Sequence, residues 1–391
     1  MKRTIALALA LTLLGATAVP ARAEQSEDPA LRAGVTVNAP AAALLTLDGA
    51  VLWEKEAHAP REPASVTKVM TLLLACEAID RGELALTDTV TASAHAASMG
   101  GSQVWLKEGE TLTVEELLKC IAIASANDCA VALGEHLAGT EEAFVQQMND
   151  RAAQLGMADT RFVNCCGLTA PGHVTSAWDI GIMSAQLLRE HPWIEDYATL
   201  WQDSIRAGAF VLNNTNKLLK SYSGCIGLKT GFTSTAGYCV SAAARREGLT
   251  LIAVVLGSPT KESRSDDACA LLNWGFAGFA AVTLGTDAPL VPIPVTLGTR
   301  ESVSCRLGEQ EPLVLPKTLL SGLEKRLELP AVLPAPVAEG EEIGALSVRA
   351  GEREVCRIPI LAGEEVPRLT LWDIFRRVLC CAAMKNFMEN S

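Results

Sequence analysis

The chain has 391 residues, 49% of them hydrophobic and 20% charged, which is the balance of a folded protein long enough for two packed cores. Its formal net charge of −12 excludes a general nucleic-acid binder, because gripping phosphates needs a basic face.

The first residues bear on compartment. Lys2 and Arg3 precede an apolar run from Ile5 to Leu14, and Ala21-Arg22-Ala23 places small residues where a signal peptidase reads. The run is too short to span a bilayer, so residues 1–23 read as a secretory signal peptide cut before Glu24. No later segment has the apolar length of a transmembrane helix. Export would permit disulfides, yet the twelve cysteines show no CxxC pair and no zinc spacing. Cys76, Cys120 and Cys129 sit in apolar helical patterns and read as buried thiols, while a disulfide or two stays open.

Downstream, Ala41–Thr46 and Val51–Trp53 flank Asp48-Gly49 and predict a β-hairpin. A helix is expected from Ser65 toward Gly82. A second opens at Thr113, with Glu116 completing a capping box, and a third follows Ser125. Residues 141–155 and 176–188 predict two more. Then the pattern turns to strands at 226–232, 238–244 and 249–256, with Glu247-Gly248 as a turn, and a helix at 268–276. Ten of the eighteen prolines fall between 277 and 367, among short β-branched runs. These shifts predict an α+β domain of antiparallel sheet and helices over 24–276, a small all-β domain over 277–366, and a tail over 367–391. In the tail, Leu371, Ile374, Phe375, Val378, Leu379 and Ala382 recur at helical spacing beside Arg376, Arg377 and Lys385, an amphipathic helix. It suits either a membrane surface or a packing contact.

Three short motifs carry chemistry: Ser65-Val66-Thr67-Lys68, Ser125-Ala126-Asn127 and Lys229-Thr230-Gly231. A serine hydroxyl needs an adjacent base to attack a carbonyl, and Lys68 lies three residues on, on the same helix face. Burial and a second positive charge, for which Lys229 is a candidate, would lower the pKa of that lysine. Ser125 and Asn127, between two helices, could relay a proton and hold a substrate amide. Lys229 and Thr230 on a strand suit a peptide that docks as an added strand and ends in a carboxylate, with Gly231 leaving room for its backbone. Each motif alone also fits an ordinary helix cap or a polar strand face. Their joint order in an exported chain is what points to acyl transfer. The five histidines form no metal-ligand spacing, so neither metal nor organic cofactor is expected.

From about residue 30 to the end, the sequence resembles the low-molecular-mass penicillin-binding D-alanyl-D-alanine carboxypeptidases, serine peptidases typified by penicillin-binding protein 5. Residues 64–71, 125–130 and 228–233, the Ala236-Gly237-Tyr238 that follows, and Arg264 ahead of Trp274-Gly275-Phe276 carry the likeness. The resemblance implies a β-lactamase/transpeptidase-like catalytic domain, then the small β-rich domain and a C-terminal amphipathic helix at the outer face of the cytoplasmic membrane. It implies that Ser65 is acylated, that Lys68 is the general base and that Ser125 passes a proton to the leaving D-alanine. Asn127 would hold the substrate amide. Lys229, Thr230 and Arg264 would recognise the terminal carboxylate, and the backbone N–H groups of Ser65 and Phe232 would form the oxyanion hole. The implied substrate is the peptidoglycan stem peptide, with β-lactams as covalent inhibitors.

Departures from the family pattern occur at Phe232, at Ile226 and at Asn164-Cys165-Cys166-Gly167. Two other readings are a serine β-lactamase and a catalytically silent wall-binding protein. Against the first, residues 152–168 hold Asp159 but no deacylating glutamate. Against the second, every motif position carries the reactive residue type. Endopeptidase action on cross-links remains open as a side activity.

Overall fold

The computed structural model describes residues 34–376 and 378–379, so the expected leader at residues 1–23 lies outside the described residues. The chain divides into two compact units. Of the described residues, the first comprises those up to 217 with 227–242 and 252–268, and the second comprises 218–226, 243–251 and those from 269 on.

The expected hairpin forms from β1 (Ala41–Thr46) and β2 (Val51–Lys55), paired antiparallel, with the Ala50 amide donating to Thr46 Oγ1 at 3.1 Å to close the turn. A 3-10 turn over Ala64–Thr67 leads into α1 (Lys68–Asp80). Val69, Met70, Leu72, Leu73, Ala75, Cys76 and Ala78 of α1 are all buried, so this helix is apolar nearly all round, as a central helix is. Each fully buried leucine there contributes about 1.5–3 kcal/mol relative to exposure. Next come α2 (Val114–Lys119), with the Thr113/Glu116 capping box in place, and one π-type turn (Cys120–Ala124). Then follow α3 (Asn127–Ala138), α4 (Glu141–Gln154) capped by Thr140, and α5 (Ala177–Glu190) capped by Ser176. Helix α5 packs against both β1 and α1, which ties the hairpin to the central helix.

Three strands complete the main sheet: β3 (Cys225–Thr233), β4 (Gly237–Arg246) and β5 (Leu249–Ser258). The sheet order is β2-β1-β5-β4-β3, so the Lys229-Thr230-Gly231 strand is an edge. Glu247 and Gly248 both have positive φ (49° and 79°), the backbone of a tight hairpin turn. Strand β5 is buried at all but one position, as its unbroken apolar run predicts. Helix α6 (Lys261–Gly278) starts seven residues before the expected 268. Its first two turns, Lys261 to Asp267, are polar and give no apolar period. Thr260 marks the start instead, its Oγ1 accepting from Ser263 N at 3.0 Å.

In the second unit, a four-stranded sheet runs in the order Cys305–Leu307, Arg353–Ala362, Glu342–Ala350, Leu323–Glu328. Ile358, Ile360 and Ala362 alternate inward along one strand and join two small cores: Ile293, Val303, Val337 and Val366 in one, Leu284, Leu346 and Val348 in the other. This is the all-β segment expected after residue 277. The described part of the tail, residues 371–376 and 378–379, is helical and follows a Thr370 that caps Asp373 N at 3.2 Å. Among the described residues no helix is long and apolar enough to cross a membrane.

Candidate active site

The site is built in the first unit, around the turn that begins α1. Ala64 has φ 46°, in the left-handed region, so the chain bends sharply just before Ser65. Lys68 follows one turn later with its whole side chain buried, and its Nζ makes three contacts. Ser65 Oγ lies at 3.1 Å, Asn127 Oδ1 at 2.6 Å and the Cys166 carbonyl at 2.6 Å. Burial lowers the Lys68 pKa below its ordinary value, because an ammonium in a dry site loses its hydration.

The second motif sits on an irregular stretch of backbone. The π-type turn ends on Ser125 at φ 63°, ψ 30°, and Ala126 N donates back to Cys120 O at 3.1 Å. That geometry turns Ser125 out of the helix, and its hydroxyl is buried with no hydrogen-bond partner among the described residues. Asn127 is clamped from both sides: its backbone N–H donates to Ser102 O and its Nδ2 to Gly100 O, each at 2.7 Å, while Oδ1 accepts from Lys68. Asp128, also fully buried, accepts from Val104 N and Leu106 N at 3.0 Å each. The segment 100–106 is therefore fastened to the head of α3 at four points.

Strand β3 supplies the third motif. Lys229 is buried, donates to Thr230 O at 3.0 Å, and is held well below its usual pKa, first by burial and then by the charges of Lys68 and Arg264. Repulsion between ammonium groups is mutual, so a proton on Lys229 discourages one on Lys68. Thr230 Oγ1 donates to Thr215 Oγ1 at 2.7 Å. A Cβ on Gly231 would stand 2.8 Å from Ser65 N and 3.0 Å from Ala64 Cβ, so this glycine lets the edge strand close on the nucleophile turn. Phe232 is 54% exposed, with its ring 4.3 Å from that of Tyr238. Arg264, near the start of α6, is buried, and its Nε has no hydrogen-bond partner among the described residues. The Lys229 amine, the Arg264 guanidinium and the Thr230 hydroxyl thus supply hydrogen-bond donors beside one strand edge, a set suited to a carboxylate.

Several supports escaped sequence reasoning. The Cys166 carbonyl, within the noted departure Cys165-Cys166-Gly167, is a direct partner of Lys68. Gly167 (φ 86°) has the Ala64 carbonyl where its Cβ would be, 1.9 Å away, which only glycine tolerates. His173 accepts from Val163 N at Nδ1 (2.9 Å), so its Nε2 carries the proton and donates to Thr67 Oγ1 (2.9 Å). Thr67 Oγ1 in turn donates to Ala64 O at 2.9 Å. Burial pushes His173 down to about 4, so it is neutral at physiological pH and serves as a fixed strut under the Ser65 turn. The segment carrying these residues has no periodicity; the signals in it are the departure at 164–167 and a histidine whose pattern favours an ordinary loop position.

A buried amine against a serine hydroxyl, an unpartnered second hydroxyl and a cationic strand edge define an acyl-transfer site of the serine type. A family profile described as D-alanyl-D-alanine carboxypeptidase matches residues 25–260, and one described as the penicillin-binding protein 5 C-terminal domain matches residues 284–368. The D-alanyl-D-alanine carboxypeptidase DacF of Bacillus subtilis is 35% identical over 336 residues, covering 85% of this chain and 86% of that protein. Penicillin-binding protein 5 of Haemophilus influenzae superposes with a TM-score of 0.72 at 30% identity, over 86% of this chain and all of the other. The ampicillin-bound penicillin-binding protein D2 of Listeria monocytogenes gives 0.57 at 33% identity, over 62% of this chain and 99% of the other. The chain belongs to the D-alanyl-D-alanine carboxypeptidase family of serine peptidases.

Proposed function

We propose that this chain removes the terminal D-alanine from peptidoglycan stem pentapeptides through an acyl-enzyme on Ser65. The observation that carries the proposal is the Lys68 amine, fully buried and 3.1 Å from Ser65 Oγ. A neutral amine has two N–H groups and one lone pair. Asn127 Oδ1 and the Cys166 carbonyl take the two N–H groups, which turns the lone pair toward the serine. Ser65 Oγ attacks the carbonyl carbon of the penultimate D-alanine as its proton passes to Lys68. The backbone N–H groups of Ser65 and Phe232 receive the oxyanion. Collapse of the tetrahedral adduct breaks the C–N bond. The leaving nitrogen takes a proton through Ser125, whose hydroxyl is free to bridge. Water then hydrolyses the ester and restores Ser65. Asn127 holds the substrate amide, and Lys229, Thr230 and Arg264 hold the terminal carboxylate.

A β-lactam would enter the same cycle, its ring amide standing in for the scissile peptide bond, and stop at the ester. The ampicillin-bound relative supports that extension. Fast deacylation of the β-lactamase kind needs a carboxylate and a water by the ester. The segment 152–168 offers Lys68 a main-chain carbonyl instead. Intact-mass measurement after incubation with diacetyl-Lys-D-Ala-D-Ala, and separately with penicillin, tests the reading. D-alanine release together with a long-lived penicilloyl adduct on Ser65 is expected. Rapid loss of the adduct would favour a β-lactamase, and no adduct at all a silent wall-binding protein.

The place of action proposed is outside the cytoplasmic membrane. The leader read from residues 1–23 would export the chain. The tail helix, with Leu371, Trp372, Phe375, Val378 and Leu379 all more than half exposed, would lie on the outer membrane face.

A further inference from the structure

Beside the Asn127 loop, on the first unit, lies a depression of about 540 Å³ lined by Trp105, Lys107, Glu108, Gly109, Glu110 and Arg206. Its size falls in the ~300–1,000 Å³ range of small-molecule sites. Trp105 is 63% exposed and has φ 57°, a left-handed backbone that a bulky side chain rarely adopts. Folding alone gives no reason for such a residue there: the conformation is costly and the indole surface stays wet.

The indole is held firmly in that exposed position. Its two neighbours, Val104 and Leu106, donate their amides to Asp128, and Arg206 Nη1 donates to the Val104 carbonyl at 2.9 Å. Phe210 meets the indole edge-on at 5.7 Å, and Arg206 is locked by Glu110 at 2.6 Å. With Gln103 turned to satisfy its amide, the indole N–H donates to that side chain at 3.3 Å. The rim carries two cations, Lys107 and Arg206, and two carboxylates, Glu108 and Glu110. A balanced rim selects neither a polyanion nor a polycation; it suits an uncharged ligand with many hydroxyl and amide groups. A flat aromatic face suits one apolar face of such a ligand. A pyranose ring has that form, one face of C–H groups with polar substituents around its edge.

We infer that this depression is a subsite for the glycan strand of peptidoglycan, seating an N-acetylated sugar ring on Trp105 while a stem peptide of the same strand enters the catalytic cleft. The inference rests on the substrate proposed above. It adds that the enzyme reads the polymer as well as the peptide. The four-point attachment of residues 100–106 to Asn127 and Asp128 sets the sugar site at a fixed offset from the catalytic residues.

Two measurements test it. In the first, glycan strands stripped of their stem peptides, with the lactyl carboxyl groups so freed capped as amides to keep the strand uncharged, are titrated into the protein in a calorimeter, which requires no catalysis. The wild type is expected to bind them, Trp105→Phe to bind comparably, and Trp105→Ala to bind about tenfold more weakly, the loss of one stacking contact. In the second, kcat/KM is compared on diacetyl-Lys-D-Ala-D-Ala and on uncross-linked strands bearing pentapeptides. Trp105→Ala should lose about tenfold on the strands, through KM, and stay within about twofold on the tripeptide. Equal losses on both substrates would mean that Trp105 only shapes the Asn127 loop, and would overturn the subsite. So would unchanged strand binding by Trp105→Ala, or no strand binding by the wild type. Failure of the wild type to release D-alanine from the tripeptide would refute the proposed reaction, and strand binding would still decide the subsite.

Discussion

The base role proposed for Lys68 requires its neutral form, and its buried surroundings favour that form. Burial disfavours the ammonium, and the Lys229 side chain on β3 discourages a second positive charge nearby. Replacement by arginine keeps length and donors but removes the base, since a guanidinium does not give up its proton. Lys68→Arg is therefore expected to fold and to lose about 10²–10⁴-fold in the rate of Ser65 acylation, read with a fluorescent penicillin. In the wild type, acylation should rise with pH as the depressed Lys68 pKa is passed and then level off. A flat profile would sink the role. Gly231→Ala tests the same centre sterically. The new methyl would stand 2.8 Å from Ser65 N, so β3 or the nucleophile turn must shift. Because sub-ångström misplacement of reacting atoms is costly, acylation should fall at least about tenfold, with circular dichroism unchanged.

At the scale of elements, the catalytic turn is held in place by a loop that lacks regular structure. The strut from Val163 through His173 and Thr67 to Ala64 works only with a neutral imidazole. The folded state holds His173 near 4, against an ordinary value near 6.5 when unfolded. Above pH 6.5 both states are neutral and the residue has no pH effect. Between about 6.5 and 4 the unfolded chain binds a proton that the folded one refuses, so stability falls as pH falls through that window. The full loss is about 3 kcal/mol. Urea titrations across this range should show a steeper acid loss for the wild type than for His173→Gln, and parallel slopes would remove the strut from the account. The hairpin, the Thr113 capping box and the three sheet strands were legible beforehand because each has a local signature: a turn dipeptide, a cap, an apolar run. The polar first turns of α6 were not, because they carry no apolar period, and the supporting loop and the Asp128 anchor were not, because their roles come from contacts between residues distant in sequence. The Asn127–Lys68 bond spans 59 residues and the Lys68–Cys166 bond 98. The motifs named the groups proposed to react, and the fold was needed to show what holds them.

At the scale of the whole molecule, the residues proposed to react and the tail proposed to lie on a membrane occupy different parts of the chain. All the side chains assigned to the reaction belong to the first unit, while the described part of the tail belongs to the second. Leu371 is 88% exposed and Trp372 66%, with the Trp372 and Phe375 rings stacked at 5.7 Å. One helical turn presenting that much apolar surface to water is destabilising in isolation and becomes favourable where acyl chains can cover it. The chain as a whole carries −12 and should be repelled by an anionic membrane, so the arginines and lysine at 376, 377 and 385 would have to act locally, within a screening length of the headgroups. Deleting residues 369–391 should abolish co-flotation with vesicles containing anionic lipid while leaving release of D-alanine from a soluble tripeptide unchanged. Binding by the full chain should weaken as salt is raised and weaken further in neutral vesicles. Unchanged flotation of the truncated chain would assign the anchor elsewhere. A shift in oligomeric state on truncation, with no change in flotation, would make the tail a contact between copies.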